Sequence, residues 1–275
     1  MESHLKGWIG STEQQTDVID RWRVDALAAT LEVEPSPTAG SGELPPLWHW
    51  VFFVTPTPRS QLGPDGHPKR GGFLPAVPLR RRMYAGGRIE FLRPLTVGTK
   101  AVRSGEVVAV EQKEGRTGPL VFVTVRHRIT VDGRTAIRET QEIVYTDAVP
   151  AARRDASDEP PEAPWARLMH PDEALLFRFS ALTFNSHRIH YDLDYAREVE
   201  GYRSLVVHGP LLAILLAELA RSNGYQHPKM FECRGRAPVY VGDPIHLRGR
   251  PDDVGGAWLA AYTPDGRIGM EATWR

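Results

Sequence analysis

Between Asn185 and Asp194 the chain reads NSHRIHYDLD, and His208-Gly209-Pro210-Leu211 follows shortly after. Asn185, His187, His190, Asp192 and Asp194 share ten positions, and three of the ten histidines fall between residues 187 and 208. Titratable side chains at this density cost stability in a packed segment unless they are paired or solvated. A cluster of this kind is therefore a candidate for chemistry. His190 has the intrinsic pKa for proton transfer near neutrality. A backbone N–H at a helix start, such as that of Gly209, can stabilise developing negative charge. The missing side chain of Gly209 lets a substrate approach the backbone closely.

The elements that must position these residues fall in two similar halves. Residues 11–31 suggest a helix, with Ser11 or Thr12 as cap and Ile19, Trp22, Ala26 and Ala29 at helical spacing. Leu47–Val54 is an apolar, aromatic run whose period separates neither helix nor strand. Residues 55–82 are rich in Pro and Gly and end in Arg80-Arg81-Arg82; long irregular segments of this sort often serve function. From Gly87 to Tyr145 runs rich in β-branched residues alternate with turns such as Asp132-Gly133. The composition of 147–164 is that of a linker. A helix is expected from Asp172, the clearest helix runs Pro210–Arg221, and strands return over 231–275. Arg93-Pro94-Leu95-Thr96-Val97-Gly98 is echoed by Ala237-Pro238-Val239-Tyr240-Val241-Gly242, and Pro46-Leu47 by Pro210-Leu211. The order of elements predicts two copies of one α+β unit, residues 1–146 and 165–275, each with one long helix against an antiparallel sheet.

Bulk composition narrows the function classes. The 34 basic and 34 acidic residues balance, and no basic block is interleaved with aromatics, so nucleic acid is not indicated as a partner. Cys233 is the single cysteine, which excludes an intrachain disulfide framework and a Cys-rich zinc site. The most apolar helical run, Leu211–Ala217, is too short to span a bilayer, and the N-terminus carries no apolar signal core. The expectation is a cytoplasmic protein with no membrane partner.

The string ending in His190 resembles the MaoC-like, R-specific enoyl-CoA hydratases. Their motif runs roughly Ser-Gly-Asp-x-Asn-Pro-aliphatic-His-x-Asp, with a later His-Gly at the start of a long helix. Ile189, His190 and Asp192 match it, and His208-Gly209 matches the later pair. Asn185 stands where the family has its catalytic Asp, His187 where it has Asn, and Arg188 where it has Pro. Over the whole chain the similarity is greatest to a double-hotdog subgroup that hydrates dicarboxylic acyl-CoA thioesters such as mesaconyl-CoA (3-methylfumaryl-CoA) or itaconyl-CoA. The resemblance implies an α+β double hotdog fold and a lyase acting on an acyl-CoA, with no cofactor beyond the substrate's own CoA and room for a homodimer. It implies that His190 and Asn185 are catalytic and that Gly209 forms the oxyanion hole. The N-terminal half lacks an equivalent motif and is expected to form the acyl-CoA tunnel.

Asn185 cannot accept a proton as a carboxylate does. The swap suits a substrate with its own carboxylate, since two like charges about 4 Å apart repel by ~4 kcal/mol at an effective dielectric of 20. His187 and Arg188 would favour an anion further. Substrate contacts are expected from His187, His208, Arg82 and Tyr84; an arginine of the 80–82 run meets carboxylates or CoA phosphates with forked geometry, although charge runs more often face solvent. His187, His190 and His208 could ligate a metal, but the hydratase reading already employs two of them, and no metal is expected. Trp48, His49 and Trp50 are assigned to a core or to the interface between the halves, Cys233 to packing, and His127 to an ordinary strand. A hotdog thioesterase, which would release free CoA from a saturated acyl-CoA, is the alternative enzyme; a non-catalytic acyl-thioester binding protein is the alternative without chemistry.

Overall fold

The computed structural model describes residues 2–34, 42–115, 118–148 and 159–275; most of the expected linker, residues 149–158, lies outside them. Five strands precede the linker: β1 (Thr12–Val18), β2 (Arg81–Phe91), β3 (Lys100–Gly115), β4 (Gly118–Val131) and β5 (Arg134–Thr146). Five follow it: β6 (Trp165–Met169), β7 (Met230–Gly235), β8 (Ile245–Pro251), β9 (Ala257–Tyr262) and β10 (Ile268–Trp274). They form one ten-stranded sheet in the order β1-β3-β4-β5-β2-β7-β10-β9-β8-β6, with every pairing antiparallel. Read outward from the β2–β7 seam, the two halves have the same order. The seam pairs Gly86 with Arg234 through to Glu90 with Met230. Asp132 and Gly133 both adopt positive φ at the β4–β5 hairpin, as the sequence suggests.

The helices are α1 (Glu2–Lys6), α2 (Arg21–Leu31), α3 (Glu173–Leu182) and α4 (Gly209–Ser222). In α4 every residue from Leu211 to Arg221 is buried. A helix apolar all round belongs in a core, and the second-half sheet wraps it through β6, β8, β9 and β10. Each fully buried Leu or Ile is worth about 1.5–3 kcal/mol, enough for the helix to carry one buried ion pair, Glu218 with Arg221 Nη1 at 2.6 Å. Among the described residues no helix is long and apolar enough to cross a membrane.

Two expectations for the first half are corrected. The helix proposed over 11–31 is a strand followed by a shorter helix. Residues 12–18 alternate in exposure and pair along β3. Asp20, not Ser11 or Thr12, caps α2 by accepting from the Arg23 N–H at 2.9 Å. Trp22 is exposed, and the buried face is Val24, Leu27, Ala28 and Leu31. The second correction is that the first half has no long central helix among its described residues. Its apolar run forms only a 3-10 turn, Trp48–Val51. Leu47 and Phe53 at positive φ break the helix at both ends, and Pro56 and Pro58 block its continuation. Trp48, fully buried, instead crosses to α4 and donates its indole N–H to Glu218 Oε1 at 2.9 Å.

This bond joins the short first-half turn to the second-half core. Trp48→Phe is expected to lower unfolding free energy by about 1–3 kcal/mol, because it leaves a buried carboxylate oxygen one donor short. Urea unfolding checks it: the midpoint falls while the slope stays constant.

Candidate active site

The loop after α3 is built by local hydrogen bonds. Asp172 caps α3 by accepting from the Leu175 N–H at 2.7 Å. Phe184 turns the chain at φ 49, in the position where the family motif has Gly. Asn185 Oδ1 accepts from the His187 N–H at 3.0 Å, an Asx-turn. A 3-10 turn, Arg188–His190, then presents His190. Asp192 holds this turn closed, accepting from Arg188 Nη2 at 2.7 Å and from the Tyr195 N–H at 3.0 Å. Arg188 also donates to the Pro64 carbonyl. Its charge is thus committed to Asp192, which corrects the expectation that Arg188 prepares the loop for an anion.

All seven residues expected at the site, Asn185, His187, His190, His208, Gly209, Arg82 and Tyr84, line one cavity of about 850 Å³. His190 Nδ1 lies 2.7 Å from the Val206 carbonyl. A carbonyl only accepts, so Nδ1 carries the proton and Nε2 keeps its lone pair. Among the described residues Nε2 makes no hydrogen bond. The His190 ring stacks on His208, with centroids 3.6 Å apart and planes 19° from parallel. His208 Nε2 pairs with Ser180 Oγ at 2.8 Å, while its buried Nδ1 has no partner among the described residues. His208 is also the residue before α4, so the next amide, that of Gly209, opens the helix. Tyr84 packs its ring against Gly209: a Cβ there would stand 3.1 Å from Tyr84 Cδ1. The Tyr84 hydroxyl is paired with Cys233 Sγ at 3.4 Å. Burial pushes the Cys233 thiol up to about 12, in keeping with a packing role.

The long 55–82 segment contributes two residues that the sequence did not single out, Asp65 and His67. Gly66 sits at φ 85, and a Cβ on it would be 1.8 Å from the Ser186 carbonyl oxygen, so only glycine lets this loop dock on the motif. The Arg188 N–H bonds to the Asp65 carbonyl at 2.9 Å. His67 Nδ1 faces Asp65 Oδ2 at 3.4 Å. The His67 ring is 4.1 Å from that of His187, which meets His190 edge-on at 5.4 Å. The density of Gly and Pro marked the loop as functional, but nothing local marked His67. His127, assigned to an ordinary strand, lines the cavity too, with a buried Nδ1 that has no partner among the described residues.

Asp65, His67 and His187 bring ligand atoms within 4.8 Å of one another and could hold a metal ion. The trio considered from sequence, His187, His190 and His208, could not. Imidazole lone pairs lie in the ring plane, and the stacked His190 and His208 rings do not aim theirs at a common point.

Burial dominates the electrostatics. It lowers His190 to about 3, and His67 and His127 to about 4, with the Arg82 charge adding to the effect at His67. Burial likewise holds His187 and His208 well below the usual histidine range. Neutral imidazoles can accept protons, but they bring no fixed positive charge to the site.

These shifts have a consequence for stability. Below the ordinary value of 6.5, unfolded histidines bind protons that folded His127, His187, His190 and His208 do not. The unfolded state then holds more protons, so stability falls as pH falls, by up to about 1.4 kcal/mol per pH unit for each group. The thermal midpoint is expected to be flat above pH ~7 and to drop steadily as pH falls from 6.5 toward 4. A midpoint that ignores pH over this window, followed by calorimetry, would contradict the burial of these rings.

Comparison with known proteins gives the family of the chain. The family model of hydroxyacyl-thioester dehydratase type 2 matches residues 47–241. A mesaconyl-C(4)-CoA hydratase of Chloroflexus aurantiacus is 47% identical over 97% of this chain and 95% of its own. Among solved structures, HtdX of Mycobacterium tuberculosis superposes with a TM-score of 0.64 at 17% identity, covering 96% of this chain and 99% of that one. A second protein of that organism, described as a double hotdog, does so at 0.56 and 16% identity, covering 97% and 95%. The chain is a MaoC-like hydro-lyase of double hotdog fold and a member of the hydroxyacyl-thioester dehydratase type 2 family.

Proposed function

We propose that the enzyme adds water reversibly to an α,β-unsaturated acyl-CoA whose β-carbon carries a carboxylate, of the 3-methylfumaryl-CoA (mesaconyl-C4-CoA) type. One observation carries the chemistry: His190, fixed in one tautomer by the Val206 carbonyl, keeps Nε2 unpaired in the cavity that holds the Gly209 amide. The acyl group is supported by the high identity to the Chloroflexus hydratase. Itaconyl-CoA carries its carboxylate on the same carbon but its double bond one position farther from the thioester, so that bond would first have to shift into conjugation.

The thioester oxygen rests on the Gly209 N–H. His190 Nε2 takes a proton from water as the water oxygen bonds to the β-carbon. The double-bond electron pair moves toward the thioester, and the enolate oxygen is held by the amide and the positive end of α4. The imidazolium then gives its proton to the α-carbon, which completes the hydroxyacyl product. No oxidation state of the pair changes overall, so the reaction calls for no redox cofactor, and CoA enters as part of the substrate. Burial alone leaves this imidazole, at about 3, a weak base. A substrate carboxylate beside it would raise it toward neutrality, because an opposite charge favours the imidazolium. Asn185, with its Oδ1 held by the His187 N–H, has its amide N–H groups left to donate. The first unit, residues 1–146, walls the acyl-CoA tunnel, and the second, 165–275, supplies His190, Asn185 and Gly209. The place of action in this reading is the cytoplasm.

Two variants test it. His190→Ala is expected to cut kcat at least about a hundredfold with the fold intact, the scale of a positioned acid–base group; near-normal turnover would remove His190 from the chemistry. Asn185→Asp can still accept the His187 N–H, so it alters charge and little else. Activity on 3-methylfumaryl-CoA is expected to fall relative to crotonyl-CoA by roughly 1–3 kcal/mol in the ratio of kcat/KM values. Equal losses on both substrates would make Asn185 a matter of geometry alone.

A further inference from the structure

Five arginines line the cavity: Arg70, Arg81, Arg82, Arg103 and Arg236. Four are committed. Arg70 donates to the carbonyls of Val77, Leu79 and Arg80 and so braces its own loop. Arg81 is buried against Glu200, at 3.4 Å, and the Asp147 carbonyl. Arg103 lies 3.6 Å from Glu13 and bonds to Gln15. Arg236 pairs with Glu271. Arg82 alone of the five makes neither an ion pair with a carboxylate nor a hydrogen bond to a backbone carbonyl among the described residues. It is half-buried on β2, opposite Tyr145 of β5. Of its neighbours in the Arg80–Arg82 run, Arg80 faces solvent beside Asp147 and Arg81 is a structural latch, so the run resolves into three separate roles.

The position of Arg82 gives this charge a meaning. Its field reaches Asp65, His67 and His187, and the His67 and His187 rings lead in two contacts, 4.1 Å and 5.4 Å, to His190. A group bonded to the carbon that receives water must lie within a few ångströms of His190. His67 and His187 are uncharged there but carry N–H donors. The Asp65–His67–His187 set by itself would suit a divalent cation, but the Arg82 charge repels one there, and a cation with spare donors beside an amide in place of a carboxylate favours an anion instead.

We propose that Arg82, flanked by His67 and His187, forms the subsite for a carboxylate on the β-carbon of the acyl group. The inference rests on the hydratase reading for the placement of that carbon, yet it is a statement about binding and can be tested without turnover. Succinyl-CoA and butyryl-CoA have no double bond to hydrate and are nearly isosteric, and they differ at the end of the acyl chain by a carboxylate in place of a methyl group. The wild-type protein is expected to bind succinyl-CoA at least about tenfold more tightly, by calorimetry, and Arg82→Met to erase most of that preference; charge-assisted, forked hydrogen bonds are of this strength. Arg82→Lys, which keeps the charge and loses the fork, is expected to fall between, and His67→Asn to reduce the preference in a protein whose β2 strand is untouched. Equal weakening of both ligands by Arg82→Met would assign the arginine to CoA itself and overturn the proposal, as would a wild-type protein without preference. A preference for succinyl-CoA that appears only with added zinc and vanishes with a chelator would also overturn it, in favour of the metal. Wild-type protein that shows the preference but adds no water to 3-methylfumaryl-CoA leaves the subsite standing and sinks the hydratase reading.

Discussion

The hydrogen bond from His190 Nδ1 to the Val206 carbonyl is the contact on which the site depends. It sets the tautomer, and with it which nitrogen can take a proton. Val206 is itself held by a bridge to Tyr240 and the Val207 N–H by the Val239 carbonyl. Two residues later His208 stacks on His190, and the next amide opens α4. One short stretch of backbone therefore positions the acceptor, the stacking partner and the oxyanion donor together. A shift of its register would move all three at once.

The first half shows what the same backbone looks like without the chemistry. Its bridge from Glu43 to Thr96 corresponds to the one from Val206 to Tyr240, with matching bonds from Leu44 N–H to Leu95 and from Val97 N–H to Gly42. Counting forward from the bridge, Pro45 takes the place of His208 and Pro46 that of Gly209. A proline has no N–H to offer an oxyanion. The helix that should follow is cut to one 3-10 turn. Trp48 packs against α4 in its place and bonds to Glu218.

Burial explains the charge pattern of the site. Four imidazoles, those of His67, His187, His190 and His208, lie in ring contact, and burial holds each below its ordinary value. A chain of charged rings at these distances would repel strongly in a medium of low dielectric. Neutral rings avoid that cost, but they also make His190 a poor base until an anion arrives. Arg188 and Arg81, which look in sequence like equal candidates for meeting that anion, are spent on Asp192 and Glu200.

Much of this protein was legible in the chain itself. Leu211–Ala217 is apolar on every face, so α4 had to be the core helix, and β-branched runs broken by Asp-Gly and Gly turns had to be strands. The spacing of Asn185, His187 and His190 set the local loop, because its Asx-turn and 3-10 turn are made from contacts within a few residues. The polar alternation of Thr12–Val18 escaped notice because an edge strand that is never deeply buried leaves only a faint period. Likewise, nothing in Leu47–Val54 announced that two residues at positive φ would stop its helix. What tertiary structure alone decided was pairing over long separations: Asp65 and His67 against the motif loop, Tyr84 against Gly209, and which cavity arginine was left with neither a carboxylate nor a backbone carbonyl to hold it. Those outcomes depend on which strands meet and which charges are already matched, and a linear chain records the charges but not their partners.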